Sequence, residues 1–380
     1  MDFGLTDEQR AICEEVRRFA ENEIAPVAAE HDRDETYPHE VMEKSVEMGL
    51  PGAHLPVEYG GAGYSSVEMA LIVEELFAVD PGIAFCITAA AVGAAAITEF
   101  GPADQKERYL PPITAGESVM GAAISEPGAG SDVTAIETRA EKDGDEWVIN
   151  GNKMWISNGS VGDYFIVMCE TDPDVEDRYS GFSQIIVESN RDGFTAEKIT
   201  GKLGIRASDT AELVLDDVRV PEENLVGTRG FGFLQLMRFF DVTRTMVAAQ
   251  GVGIAKGAAE RSLEYTQERE QFSKSISEFQ AVQHKLADMD TKTEAARLLT
   301  HRAADRRMRG ERYVKAAAQA KLYASEVSRE VANEGIQIHG GYGYTTEFPA
   351  ERFYRDAKLN EIYEGTSEVL RNTIADQLLV

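Results

Sequence analysis

The chain has 380 residues, 43% of them hydrophobic, which is enough for two or three domains with shared cores and too apolar for a disordered segment. Its 38 basic and 66 acidic residues leave a net charge of −28, spread along the chain. Such a surface excludes nucleic acid and anionic membranes as partners, and it suits either a high-salt cytoplasm or an ordinary acidic protein; a melting curve against salt separates the two.

Cys13, Cys86 and Cys169 are far apart and odd in number, as expected of free thiols in a reducing compartment. The six histidines are scattered and no residue set has metal-ligand spacing, so no metal is expected. A Gly-x-Ser-x-Gly elbow is also missing. The start lacks a basic segment followed by an apolar core, and the apolar run around Ala89 to Ile97 is too short to span a bilayer. These features predict a soluble, cytoplasmic protein.

From Thr6 to about Gly116 the pattern is helical. Thr6 precedes a run with Ile12, Val16 and Phe19 on one face, and Pro38-His39 opens another helix. The glycine-rich stretch Pro56 to Tyr64 lacks a Lys-Ser/Thr pair and does not follow a strand, so it is a poor phosphate loop. Pro111-Pro112 is expected to close this region. Near Val119 the texture changes. Trp147 to Ile156 reads as two strands joined by an Asn150-Gly151 turn, and Tyr164 to Cys169, Gln184 to Val187 and Leu213 to Val220 read as further strands. Three long helices follow: Gly232 to Gln267, Phe279 to Arg309 (roughly 45 Å) and Arg312 to Gln337. The first is rich in small residues from Ala248 to Gly257; the second carries a seam of Val282, Leu286, Met289, Thr293 and Ala296. The expected fold is α+β: a helical domain over 1–118, an antiparallel β domain over 119–226 and a long-helix bundle over 227–380.

Several stretches could carry chemistry. Ser125-Glu126-Pro127-Gly128-Ala129-Gly130-Ser131-Asp132 offers backbone N–H groups and hydroxyls to an anion, or is a structural turn. Lys153 to Gly159 ends a strand with Trp155, which could cover a flat ring or lie in the core, and Ser157. Arg269, Gln271, Phe272, Phe279 and Gln280 lie between two long helices, suited to pyrophosphate recognition or to a rim ion-pair cluster. Asp241 and Arg244 have the spacing of an intrahelical salt bridge. In Tyr363-Glu364-Gly365-Thr366, Glu364 is either a general base in a tight turn or the end of one helix before the N-cap of the next.

Taken together and in this order, these stretches, with Gln337-Ile338-His339-Gly340-Gly341, resemble the acyl-CoA dehydrogenase family across essentially the whole chain. The resemblance implies an FAD enzyme that forms an α,β-double bond in an acyl-CoA thioester. It also implies a homotetramer that passes electrons to an electron-transfer flavoprotein. Carried onto this chain, it makes Glu364 the base for the α-proton while the β-hydride goes to flavin N5, with the Glu364 backbone N–H and a flavin hydroxyl on the thioester oxygen. Ile124, Ser125, Trp155, Ile156 and Ser157 would flank the flavin ring. Arg269, Gln271, Phe272, Phe279, Gln280, Gln337, Gly340 and Gly341 would hold FAD across a subunit boundary, with Thr366 and Glu368 on its far side. Ser131, Asp241, Arg244 and Gly365 would contact substrate. Relatives resembling the isovaleryl and long-chain enzymes carry the base at the position of Thr243; here that residue is threonine, which favours Glu364. Ser273 departs from the family's usual glycine. An acyl-CoA oxidase, a flavin monooxygenase and a non-enzymatic helical scaffold are the competing readings. The extra C-terminal domain of many such oxidases is not expected here, such monooxygenases lack Glu364, and a scaffold leaves the flavin cluster unexplained. Acyl-chain length is not readable from the sequence.

Overall fold

A computed structural model describes residues 4–379. The first region is helical: α1 (Asp7–Phe19), α2 (Ala28–Asp34), α3 (His39–Glu47), α4 (Ser66–Val79), α5 (Pro81–Ala89), α6 (Ala94–Phe100) and α7 (Ala103–Thr114). Helix α1 begins with a reciprocal cap in which Thr6 and Gln9 each satisfy the other's backbone N–H, and α4 begins the same way with Ser65 and Glu68. Pro111 and Pro112 lie inside the last turn of α7 and not after it; having no N–H, they cannot donate to the Glu107 and Arg108 carbonyls one turn back, while their own carbonyls accept from the Ala115 and Glu117 amides (both 2.9 Å). The apolar stretch is longer than the Ala89 to Ile97 run and not too short to span a bilayer. Pro81–Phe100 has the length and mean hydropathy (1.8) of a membrane span, but it breaks between α5 and α6 and is two-thirds buried in the core.

The middle region is a seven-stranded sheet: β1 (Met120–Ala123), β2 (Arg139–Asp143), β3 (Glu146–Ser157), β4 (Tyr164–Glu170), β5 (Phe182–Glu188), β6 (Phe194–Lys198) and β7 (Thr210–Pro221). It is mixed and not purely antiparallel, because β4 runs parallel to both β1 and β2. The chain leaves β1, makes a long loop and the β2–β3 hairpin, and only then enters β4 in the same direction as β1. The hairpin turn is at Gly144-Asp145, not Asn150-Gly151. Strand β3 runs straight through Asn150, whose side-chain amide donates to Asp217 Oδ1 (2.9 Å) and whose Oδ1 accepts from the Asp217 N–H (2.8 Å). That exchange pins a register shift between Ile149 and Gly151. The Asn-Gly pair therefore makes a bulge within a strand.

The last region holds α8 (Gly232–Glu268), the two-residue strands β8 (Glu270–Gln271) and β9 (Lys274–Ser275), α9 (Gln280–Met308), α10 (Val314–His339), α11 (Ala350–Ala357) and α12 (Ser367–Asp376). Helix α8 is the axis of the molecule. A Cβ at Gly257 would lie 2.2 Å from the Ala78 carbonyl oxygen of α4, and one at Gly251 would lie 2.7 Å from the Ala324 carbonyl oxygen of α10. The small residues thus let two neighbouring backbones close on α8. Met289, Thr293 and Ala296 of the α9 seam are buried within the chain, with Leu286 packed at the margin of the same core. One core joins α1–α5 to α8–α11, and a second fills the sheet around Trp147, Phe165, Leu213 and Val218.

Candidate active site

The Glu364 turn lies between α11 and α12, against the middle of α8. Glu364 has a left-handed backbone (φ 54°), and so does Gly365 (φ 93°), where the absence of a Cβ makes that geometry cheap. At Glu364 it is strained, and such strain persists only where neighbours enforce it. The Thr243 hydroxyl donates to Glu364 Oε2, Arg244 Nε donates to the Glu364 carbonyl (3.5 Å), and Lys321 Nζ donates to the Gly365 carbonyl (2.7 Å). Tyr363 is anchored behind the turn by its hydroxyl, which donates to Gln250 and to Asn360 Oδ1 (3.3 Å). Thr366 caps α12 by accepting from the Val369 N–H (3.3 Å), and Glu368 is exposed one turn on.

Burial raises the Glu364 carboxyl above its ordinary value, against the opposing pull of the Thr243 hydroxyl and the Arg244 and Lys321 charges. Among the described residues, no hydrogen bond engages Glu364 Oε1 or its amide N–H. The turn therefore offers an open carboxylate oxygen and an open backbone donor on adjoining atoms. Glu361 is different: it is paired to Arg329 (2.6 Å) and Lys358, which hold it ionised against its partial burial. It is a structural carboxylate.

Asp241 and Arg244 are beside Glu364, and theirs is not a surface pair. Arg244 is buried and bridges to Asp241 at 3.2 Å; burial pushes the Arg244 guanidinium down and the Asp241 carboxyl up, each against the other's charge. The Ser125–Asp132 loop packs on the same helix, since Ile124, Ala129, Val133 and Ile136 share a cluster with Leu236, Phe239 and Phe240. Ser131 is exposed in that loop. The loop is tied to β3 twice. The Met154 N–H donates to the Ser125 carbonyl (2.9 Å). Fully buried Lys153 donates to Glu126 (2.8 Å) and to the Ile124 carbonyl (3.1 Å), while Glu126 also accepts from the Glu137 and Thr138 amides. Lys153 and Glu126 were not singled out by sequence reasoning; the signal was a lysine at an inward position of a half-buried strand. On this frame Ile156 is buried and Ser125 and Ser157 half-buried, whereas Trp155 is 61% exposed on left-handed backbone (φ 63°). Trp155 is thus a presented ring and not a core indole.

A second cluster lies at the far end of α8. Arg269, Gln271, Gly340 and Gly341 line a cleft of about 560 Å³ with Tyr265, His339 and Tyr342. Phe272 projects nearby, 88% exposed with φ 54°, edge-on to Phe279 at 6.0 Å; Gln280 opens α9 and Gln337 is exposed near the end of α10. Residues 244 and 269 are roughly 38 Å apart along α8 at 1.5 Å per residue, so the structure does not bring this cluster to Glu364 within one chain.

Residues 6–117, 121–218 and 230–379 match, in turn, the N-terminal, middle and C-terminal domains of acyl-CoA dehydrogenase. The chain belongs to the acyl-CoA dehydrogenase family. It is accordingly an oxidoreductase acting on a CH–CH group, in a family generally made of FAD flavoproteins. It is 42% identical to the short-chain-specific acyl-CoA dehydrogenase of Clostridium acetobutylicum, with all of both chains covered. Among solved structures, it superposes on a chain from the work on the electron transferring flavoprotein of Acidaminococcus fermentans (TM-score 0.97, 43% identity, both chains fully covered). It also superposes on butyryl-CoA dehydrogenase of Megasphaera elsdenii (TM-score 0.96, 39% identity, both chains fully covered).

Proposed function

We propose that this acyl-CoA dehydrogenase converts a short acyl-CoA thioester to the trans-2-enoyl-CoA, with Glu364 as the base, FAD as cofactor and an electron-transfer flavoprotein as acceptor. The observation that carries the reading is the Glu364 turn, with its raised carboxyl, open Oε1 and open amide N–H. The names of the relatives support a short chain and the flavoprotein partner.

The residues present suit FAD. An exposed indole on strained backbone, flanked by Ser125 and Ser157, fits a ring system, and the Arg269–Gly341 cleft fits a pyrophosphate, with exposed Phe272 nearby. When bound, FAD supplies the acceptor for the β-hydride. The protein does the rest. Asp241 and Arg244 hold the entry beside the turn. The Glu364 N–H donates to the thioester oxygen and stabilises the charge that develops there. Glu364 Oε1 takes the α-proton, while Thr243 keeps Oε2 occupied and the carboxylate in one orientation. Desolvation makes that carboxylate a stronger base than an exposed glutamate.

The test is anaerobic bleaching of the flavin spectrum with acyl-CoA thioesters of increasing length. Bleaching is expected with four-carbon chains and lost with long ones. Glu364→Gln is expected to keep its flavin and bind acyl-CoA but bleach slower by about 10²–10⁴-fold. Normal bleaching in that variant would reject Glu364 as the base, and a colourless wild-type protein would reject the reading altogether.

A further inference from the structure

Lys321 is fully buried in α10, among Ala317, Ala318, Ala320, Ala324 and Ser325. No other long charged side chain is buried on that helix among the described residues. An ammonium has three donors and is costly to bury unless charge and hydrogen bonds compensate it. Among the described residues its one hydrogen bond runs to the Gly365 carbonyl at 2.7 Å, the residue directly after Glu364. The charged groups around it are Glu364 in the turn, Glu361 before it, Glu368 on α12 and Arg244 on α8. A methionine would fill the same space without the cost of desolvating a charge. The lysine is placed where its head meets the turn that presents the carboxylate.

We propose that Lys321 is a positioning residue for Glu364. Its ammonium clamps the Gly365 carbonyl, and with it the left-handed Glu364–Gly365 turn, and supplies the counter-charge that keeps Glu364 a carboxylate. The inference rests on the reading of Glu364 as the base. Electrostatics agree with the geometry. Burial lowers Lys321 to about 7 while Glu364 holds it up, and Lys321 in turn lowers Glu364 against its own burial. Arg244 opposes the Lys321 charge and aids the Glu364 charge, as a fixed cation beside a coupled pair.

The signs follow. A base works as its carboxylate, so the bleaching rate rises with pH through the Glu364 titration. Removing a cation that favours the carboxylate moves that rise to higher pH. Lys321→Met is expected to shift the rising limb up by about one unit and to slow bleaching at pH 6 roughly tenfold. It should also speed hydrogen exchange in the 360–366 peptide. Lys321→Gln, a donor without charge, is expected to restore exchange protection but keep the displaced limb, and Lys321→Arg to restore the limb. A limb at the wild-type position in both neutral variants overturns the counter-charge role, and unchanged exchange in Lys321→Met overturns the clamp. If Lys321→Met does not fold, Lys321→Gln against Lys321→Arg decides the charge. If none of the thioesters bleaches the wild-type flavin, the reading of Glu364 as a base in this reaction fails, and the exchange comparison still decides the clamp.

Discussion

At the scale of single residues, the site is organised by one contact: the Thr243 hydroxyl on Glu364 Oε2. The two positions at which the resemblance allows a base are thus partners across one gap. A carboxylate from α8 or from the late turn would reach the same space. Thr243 also acts on Glu364 electrically, because its donor favours the charged form. Thr243→Val keeps the shape and removes the donor. The rising limb of the bleaching-rate profile should move up by about 0.5–1 pH unit, and stopped-flow bleaching between pH 5 and 9 reads it directly. Of the residues in this network, Glu364, Gly365, Asp241 and Arg244 were visible in the sequence, since each sits in a compact motif of unusual types. Lys321 and the Glu126–Lys153 pair were not. A lysine within an alanine-rich helix reads as solvent-facing until the helix is packed, and burial of that kind is a property of the neighbours.

At the scale of elements, the long helices were legible almost to the residue, because their apolar periodicity extends over many turns. The sheet was less so. Asn150-Gly151 has the composition of a hairpin turn, yet the strand continues through it because Asp217 on β7 takes both polar groups of Asn150. That partner lies 67 residues away, and no local rule anticipates it. The parallel pairing of β4 with β1 is hidden for the same reason. Glycine positions in α8 were legible as small residues but not as contacts. Gly257 faces the Ala78 carbonyl so closely that Gly257→Val must push α4 away from α8. The expected cost is about 3 kcal/mol or more, seen as a lower urea midpoint at an unchanged slope. The same change at Gly310, a loop glycine with open space around it but φ 67°, would report backbone strain alone and serves as the comparison.

At the scale of the whole molecule, the separation of the two clusters decides what the active unit is. Glu364 and the Ser125–Asp132 loop pack on the first half of α8, with Trp155 on the strand tied to that loop, while Arg269 and the Gly340–Gly341 cleft lie beyond its other end, roughly 38 Å away. One FAD cannot be held by both sets in one chain at that span. Each set is nonetheless dressed for a ligand: Trp155 and Phe272 are both exposed aromatics on left-handed backbone, a costly arrangement that a folded monomer does not need. We propose that the Arg269 end of one copy completes the Trp155 site of another, an arrangement that needs an assembly of at least two copies. Arg269 now lies over the Tyr342 ring at 5.6 Å, at the rim of the cleft. Arg269→Ala is then expected to lower flavin occupancy and to weaken the assembly together, because one side chain serves both. Sedimentation velocity and the flavin-to-protein absorbance ratio should fall in step across a dilution series, and added FAD should restore both. Flavin lost from an intact assembly would place Arg269 on the cofactor without the interface. An unchanged ratio and sedimentation coefficient would remove the second cluster from the active site.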